Sequence, residues 1–348
     1  MKLRINQRSR IMIHMEIRDF GQDEWNDIVS DIDALSLMQT WEFGEAKALT
    51  GPWKVSRAIF QKGCVTVGAT QAMIRTVPIL NKGLVWINRA PLVKNNFATQ
   101  PDVYVSILRE FKKYWVDKKK MYVRIASPLT PSGENYAVFE KAGCSRATET
   151  DGWASEIVDL FRSTEELRKG LQQKWRNCLN KSERMEVTCE VGFSDVLMDE
   201  LLDDYKILLD NIGFGTNLSP VFVRTMQNLL PNSRKMLVFA GRQNGEKLGS
   251  ILIATYGNTC MYLIGATNNT GRKVNTNHYL IWNAVCEMKK RGYKWFDLGG
   301  VHPDNTPSGI LHFKRGLRGK PYQLMGEVEA YRDGFLNRMI RKRIEASR

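Results

Sequence analysis

No apolar stretch in this 348-residue chain approaches the ~18 residues that a membrane-spanning helix needs. The start, MKLRINQRSRIMIHM, is basic, has only a short apolar patch and lacks a small-residue cleavage site, so it does not read as a signal peptide. Met12 or Met15 could be the true start, and the fold is read from Met15 onward. Six cysteines (Cys64, Cys144, Cys178, Cys189, Cys260 and Cys286) stand singly, without a CxxC pair or a Cys/His metal spacing. Reduced thiols in a cytoplasmic protein are therefore expected. The four histidines (His14, His278, His302 and His312) show neither metal nor triad spacing. A Walker lysine loop, a dinucleotide GxGxxG and an HExxH zinc helix are all missing. No Gly/Ser- or Pro-rich linker divides the chain.

What the sequence has in excess is positive charge: 51 Lys and Arg against 37 Asp and Glu, a net +14. The cations crowd the N-terminus, Arg109 to Arg124, Arg168 to Arg184 and Arg332 to Arg348. A solvated surface explains any one cluster. Together they favour an anionic partner: nucleic acid, nucleotide sugar, phospholipid surface or coenzyme A.

An ordered internal repeat organises the rest. YVRIASPLTPSGENYAVFEKAGC, from Tyr122, resembles WFDLGGVHPDNTPSGILHFKRGL, from Trp295, and a basic helix precedes each. Both read as a strand, a polar Pro-Ser-Gly turn and an aromatic-bearing helix. Upstream, GATQAMIRTV parallels GSILIATYG, and GLVWINRAPLV parallels CMYLIGATNN. Gly68 to Gly249 is 181, Trp86 to Tyr262 is 176 and Phe139 to Phe313 is 174. Three matches in one order argue for duplication of a domain. Within the second copy, KMLVFAGRQ, an Asn244–Gly245 turn and KLGSILIATYG predict a hairpin. HYLIWNAVCEMKKRGY has helical apolar spacing and leads to the strand KWFDLGG.

Antiparallel strands followed by a helix crossing to a further strand is the order of an acetyltransferase-like (GNAT) domain. The expectation is an α/β (α+β) chain of two tandem GNAT-like domains, 15–160 and 161–330, each a mixed, mostly antiparallel sheet with flanking helices. The boundary is read from EIVDL giving way to a helix start at Ser163 or Thr164. The last basic helix, 331–348, could pack back on the first domain.

WFDLGGV followed by GILHFKRGLRG resembles the FemABX peptidoglycan aminoacyltransferases, whose second domain carries a similar Asp-x-Gly-Gly and Phe-Lys-x-Gly. QTWEFGEAK (Gln39 to Lys47), NRAPLV (Asn88 to Val93) and KWRNCLNKSER are similar to further elements of that family, with Ala90 where it has Gly. The likeness runs from Ile17 to Glu329. At Asn211-Ile212-Gly213-Phe214 the chain keeps Gly-Phe but loses the family's Arg, which removes part of the basis for a nucleotide-sugar acceptor. Phe214 to Lys235 leaves no room for the coiled-coil arm of some members.

The resemblance implies amide formation by aminoacyl transfer, with aminoacyl-tRNA as donor and the peptide amine of a lipid-linked or nucleotide-linked peptidoglycan precursor as acceptor. The donor is a co-substrate; no resident cofactor or metal is implied. Such chemistry needs a neutral amine, a donor or cation for the tetrahedral oxyanion, and a proton for the leaving group. Lys314, read near a helix start, is the candidate cation, and the resemblance implies that it and the Phe313 carbonyl sit at the reacting centre. Asp297 either lines the site or is held structurally by hydrogen bonds. Gly299 and Gly300 permit close ligand approach. By the resemblance, Lys47 and Trp41 serve the acceptor side in the first domain, Tyr262 faces the substrate, and Arg176 belongs to a substrate-binding stretch. His302 and His312 could act in proton transfer. Two other readings stay open: an acyl-CoA- or acyl-carrier-dependent N-acyltransferase of envelope or polysaccharide synthesis, and an RNA-binding protein on an inactive GNAT scaffold. Peripheral contact with a membrane surface is compatible with the charge.

Overall fold

The computed structural model describes residues 12–78, 82–147, 150–212, 218–302 and 306–346. Gly213 and Phe214 of the Gly-Phe element lie outside the described residues, as do Pro303, Asp304 and Asn305. Two compact units result, one of residues 1–44, 52–152 and 324–348, the other of 45–51 and 153–323.

The first unit contains β1 (His14–Ile17), α1 (Gln22–Ser30), the first four residues of α2 (Trp41–Thr50), β2 (Lys54–Lys62), β3 (Val65–Val77), β4 (Lys82–Asn88), β5 (Leu92–Val93), α3 (Asn95–Ala98), α4 (Pro101–Lys112), β6 (Tyr122–Ala126), α5 (Gly133–Lys141) and β7 (Ser145–Arg146). The second contains β8 (Ala154–Asp159), α6 (Thr164–Gly170), α7 (Gln173–Arg184), β9 (Thr188–Gly192), α8 (Asp195–Ile212), α9 (Pro220–Leu229), β10 (Leu237–Gln243), β11 (Glu246–Tyr256), β12 (Thr259–Thr267), α10 (Asn269–Lys273), α11 (Thr276–Lys290), β13 (Trp295–Asp297), α12 (Ser308–Arg315) and β14 (Lys320–Gln323). The chain then returns to the first unit with β15 (Val328–Ala330) and α13 (Phe335–Ala346).

The two sheets have the same plan. The first runs β1-β2-β3-β4-β6-β15-β7, with β5 beside β3; the second, read from its far edge, runs β9-β10-β11-β12-β13-β8-β14. In each the fourth and fifth strands are parallel, β4 with β6 and β12 with β13, and the other neighbours are antiparallel. The helical crossovers, through α4 in one unit and α11 in the other, are what a parallel pair requires. These helices bury apolar faces against their sheets: Val103, Ile107, Leu108 and Phe111 from α4, and Leu280, Ile281, Ala284, Val285 and Met288 from α11.

The division of the chain differs from the expectation in one respect. Residues 154–159, the EIVDL strand assigned to the first domain, pair with β13 and β14 of the second sheet. Residues 328–330, assigned to the second, pair with β6 and β7 of the first. The breaks therefore fall at Gly152/Trp153 and Gln323/Leu324 rather than at 160/161 and 330. Ser163 caps α6 in a complete capping box with Glu166, as the sequence reads, but a helix start is not a domain boundary when a strand of the same unit precedes it. Among the described residues no helix is long and apolar enough to cross a membrane, and the six cysteines are free thiols.

Candidate active site

The parallel pairing of β12 with β13 is short: Thr259, Cys260 and Met261 face Trp295, Phe296 and Asp297. Beyond Met261, β12 runs on to Thr267 paired with β11 alone, and a register shift opposite Leu252/Ile253 bulges it there. The β13 chain instead turns at Gly299, whose φ is +69°. A β-carbon on Gly299 would lie 2.9 Å from the Tyr262 carbonyl oxygen and 3.4 Å from Lys314 Nζ. Glycine is needed both for the turn and for this approach.

Asp297 ends β13 and is buried. Gly299 N–H donates to its Oδ1 (2.8 Å) and the Tyr322 hydroxyl to its Oδ2 (2.7 Å). The Ser155 hydroxyl lies 2.5 Å from Oδ1 and 2.8 Å from the Gly299 carbonyl, and donates to one at a time. Both carboxylate oxygens are thus engaged in holding the turn to β8 and β14. Of the two roles open to Asp297 in the sequence, the geometry is that of a structural clamp.

Lys314 is placed differently from the sequence reading: it lies in the last turn of α12, not near a helix start. A cation is favoured there by the helix dipole. Its side chain is only 9% exposed, and Nζ donates to the Gly300 carbonyl at 3.0 Å. The ammonium also lies 5.4 Å from the centre of the Tyr262 ring. Burial lowers its pKa from 10.5 to about 8, with the Asp297 carboxylate working against the drop. Burial likewise pushes the Tyr262 phenol up to about 12, so it stays neutral.

An aromatic wall adjoins this centre. Trp175 of α7 donates its indole N–H to the Phe313 carbonyl (3.0 Å), leaving that oxygen a second lone pair. The His278 ring sits 4.9 Å from Trp175 and 5.0 Å from Phe313. Burial lowers the His278 pKa to about 4, which keeps its imidazole neutral at pH 7. A β-carbon on Gly316 would meet the Trp175 ring at 2.2 Å, so α7 seats on the end of α12 only over a glycine.

The structure therefore gathers Lys314, Phe313, Asp297, Tyr262, Gly299 and Gly300, and adds Ser155, Tyr322, Trp175 and His278, which sequence reasoning did not single out. Arg176 follows Trp175 on α7, where its guanidinium donates to the Lys169 carbonyl (3.2 Å). Trp41 has other surroundings: its indole donates to the Phe20 carbonyl, and Arg57 lies 5.2 Å from its ring. Lys47 falls in the part of α2 grouped with the second unit, its Nζ 4.3 Å from the Phe222 ring, and burial lowers its pKa. His312 Nδ1 contacts the Ser308 carbonyl of its own helix. No cluster of metal-ligating side chains occurs among the described residues.

The first sheet lacks this centre. At the register position of Asp297, opposite Trp86, it carries Arg124. Arg124 is buried in ion pairs with Glu327 (2.5 Å) and Glu329 (3.1 Å), with the Tyr122 hydroxyl bonded to Glu329. The residue after Phe139, the counterpart of Lys314, is the exposed Glu140.

A family model, the acetyltransferase (GNAT) domain, matches residues 165–315. The solved structure of FemX superposes with a TM-score of 0.80 at 16% identity, covering 94% of this chain and 100% of that one. The C-terminal domain of a putative lysylphosphatidylglycerol synthetase from Agrobacterium fabrum gives 0.57 at 13% identity, covering 93% of each chain. A tandem GNAT protein from the clavulanic acid biosynthesis pathway gives 0.52 at 11% identity, covering 92% of this chain and 98% of that one. No curated protein sequence matches the chain. The two sheets share one plan, and the GNAT domain model matches the second half of the chain, so the fold is that of two GNAT-like domains in tandem. Within that class its fold is FemX-like.

Proposed function

We propose that the second unit transfers an aminoacyl group from aminoacyl-tRNA to the peptide amine of a peptidoglycan precursor, in the cytoplasm, with no resident cofactor. The observation that carries acyl transfer is the Lys314 ammonium, buried against the Gly300 carbonyl where β12 and β13 part. With a pKa of about 8 it is mostly protonated at pH 7. An ester carbonyl entering the gap places its developing oxyanion beside a fixed cation in a water-poor site, a contribution of roughly 3–4 kcal/mol to the barrier. The amine loses one proton as the amide forms and the ester oxygen gains one as it leaves, so the step needs no net proton source. The free lone pair of the Phe313 carbonyl can orient an amine N–H.

The start of α11 favours tRNA over coenzyme A. A helix N-terminus after a strand is a ready phosphate cradle. Here α7 is tied over it: the Ser182 hydroxyl reaches the carbonyls of Val274 (2.6 Å) and Asn275 (2.9 Å), and Lys181 Nζ donates to the Lys273 carbonyl. These bonds pack α7 beside the start of α11, and we read that as support for a donor other than coenzyme A. Similarity to FemX, a lysylphosphatidylglycerol synthetase domain and a tandem GNAT protein supports a tandem acyltransferase without choosing the donor.

The test offers the purified chain a set of radiolabelled aminoacyl-tRNAs with lipid-linked and nucleotide-linked precursor, and acetyl-CoA in parallel. Label is expected to move from tRNA to precursor, and Lys314→Ala is expected to abolish it. Transfer from acetyl-CoA without tRNA, or unchanged tRNA-dependent transfer by Lys314→Ala, would refute the assignment.

A further inference from the structure

The first unit ends in α13, whose two faces differ sharply. Leu336, Ile340 and Ile344 are partly buried on the inner side. Beside them Asn337 donates to the Arg332 carbonyl (2.8 Å), and Arg341 pairs with the buried Glu329 (3.2 Å). These contacts fix which way the helix faces. The outer side then carries Phe335, Arg338, Met339, Lys342 and Arg343, an arc set by the 3.6-residue period. Phe335 is 78% exposed and Met339 52%, stacked one turn apart. Two acidic groups border that arc: Asp333, paired with Arg338 at 3.2 Å, and Glu345, paired with Arg341 at 3.2 Å; both carboxylates are exposed, and such pairs hold little energy.

We infer that the outer face of α13 is a docking surface for an anionic phospholipid membrane, with Phe335 and Met339 entering the headgroup boundary and Arg338, Lys342 and Arg343 meeting the lipid phosphates. Two large apolar side chains left in water amid cations match a surface that is apolar just below a layer of negative charge. A folded nucleic acid complements the cations but offers the Phe335–Met339 pair no apolar layer. The docking is independent of the donor that the second unit uses.

Co-sedimentation of the full chain with vesicles tests this, comparing phosphatidylcholine alone with phosphatidylcholine containing phosphatidylglycerol. Binding is expected only with the anionic lipid, and it should weaken as salt rises. Arg338→Gln with Lys342→Gln and Arg343→Gln should cut the vesicle partition coefficient on the order of a hundredfold and flatten the salt dependence. Phe335→Ser with Met339→Ser should reduce it at unchanged charge. All five side chains are exposed, so melting temperatures should not move; a variant that does melt early is replaced by Phe335→Gln alone. Absence of binding to anionic vesicles, or full binding by the Phe335/Met339 variant, overturns the inference. So does a triple variant that loses tRNA binding while keeping vesicle binding.

Discussion

Replacing Lys314 by methionine should make the protein more stable while destroying its activity. The folded state holds this ammonium at a pKa of about 8 against 10.5 unfolded. That difference costs about 3 kcal/mol of stability wherever both states are protonated, since each tenfold change in proton affinity is ~1.4 kcal/mol. Methionine fills similar space without a charge. It forfeits the charge-assisted bond to the Gly300 carbonyl, about 2 kcal/mol, and a weak contact with the Tyr262 ring. The net gain at pH 7 is therefore about 1 kcal/mol, or roughly 2–4 °C in melting temperature for a domain of this size. The sign of the pH dependence is fixed by the direction of the shift. Because the folded pKa is lowered, the unfolded chain binds the extra proton between pH 8 and 10.5, and the wild type gains stability across that window. The advantage of Lys314→Met is full below pH 8 and disappears above 10.5. Denaturant melts of both proteins at pH 7 and at higher pH read the difference directly. A variant less stable than wild type at pH 7, or an advantage that does not change with pH, would refute a strained ammonium at the centre. The activity arm is separate: kcat should fall by about two to three orders of magnitude.

Four further outcomes are expected. Transfer rates should fall as pH rises through about 8, where Lys314 loses its proton, and Lys314→Arg should move that limb to higher pH in a pH–rate profile. Asp297→Asn should bring the same limb to lower pH, because the carboxylate raises the Lys314 pKa, and should destabilise the fold by about 1–3 kcal/mol by weakening the clamp on Ser155, Gly299 and Tyr322. Gly299→Ala should cost about 1–3 kcal/mol in a denaturant melt through its positive φ and displace Lys314, lowering kcat more than it raises KM. Trp175→Phe keeps the ring but removes the donor to Phe313, and its loss should appear in kcat with stability changed by about 1 kcal/mol.

The duplication was legible because it left matched landmarks in one order, and the strand registers carry it further than the residues do. Thr259 faces Trp295 as Leu84 faces Tyr122, and Met261 faces Asp297 as Trp86 faces Arg124. What the sequence could not reveal is the exchange of β8 and β15. A strand of three to six residues declares which face it buries but not which sheet it joins, and both follow the end of the unit they leave. The same limit hid the partners of Asp297. Ser155 lies 142 residues before it and Tyr322 25 after it, so no local spacing joins the three. Lys314 was found through its neighbours in the motif, while its burial, which gives it a usable pKa, depends on a turn at Gly299 whose tightness is visible only in three dimensions.

The two sheets differ in how they neutralise a buried charge, and the difference supports placing the proposed chemistry in the second. Each places one buried charge at the third position of its fifth strand, Arg124 in β6 and Asp297 in β13, and each must neutralise it. The first sheet does so with full opposing charges: Arg124 is locked between Glu327 and Glu329, and Arg341 from α13 takes the remaining oxygen of Glu329. Each cation of that network is paired with a carboxylate, although Arg124 Nη2 is buried without a hydrogen-bond partner among the described residues. The second sheet answers Asp297 with neutral donors, two hydroxyls and a backbone N–H. Its negative charge therefore remains to steady Lys314, which among the described residues meets a carbonyl and a ring. The first sheet pairs its buried cation with carboxylates, as a scaffold would. The other keeps an ammonium whose opposite charge is near but not bonded to it, which is the condition for that ammonium to respond to an oxyanion formed in the gap between β12 and β13.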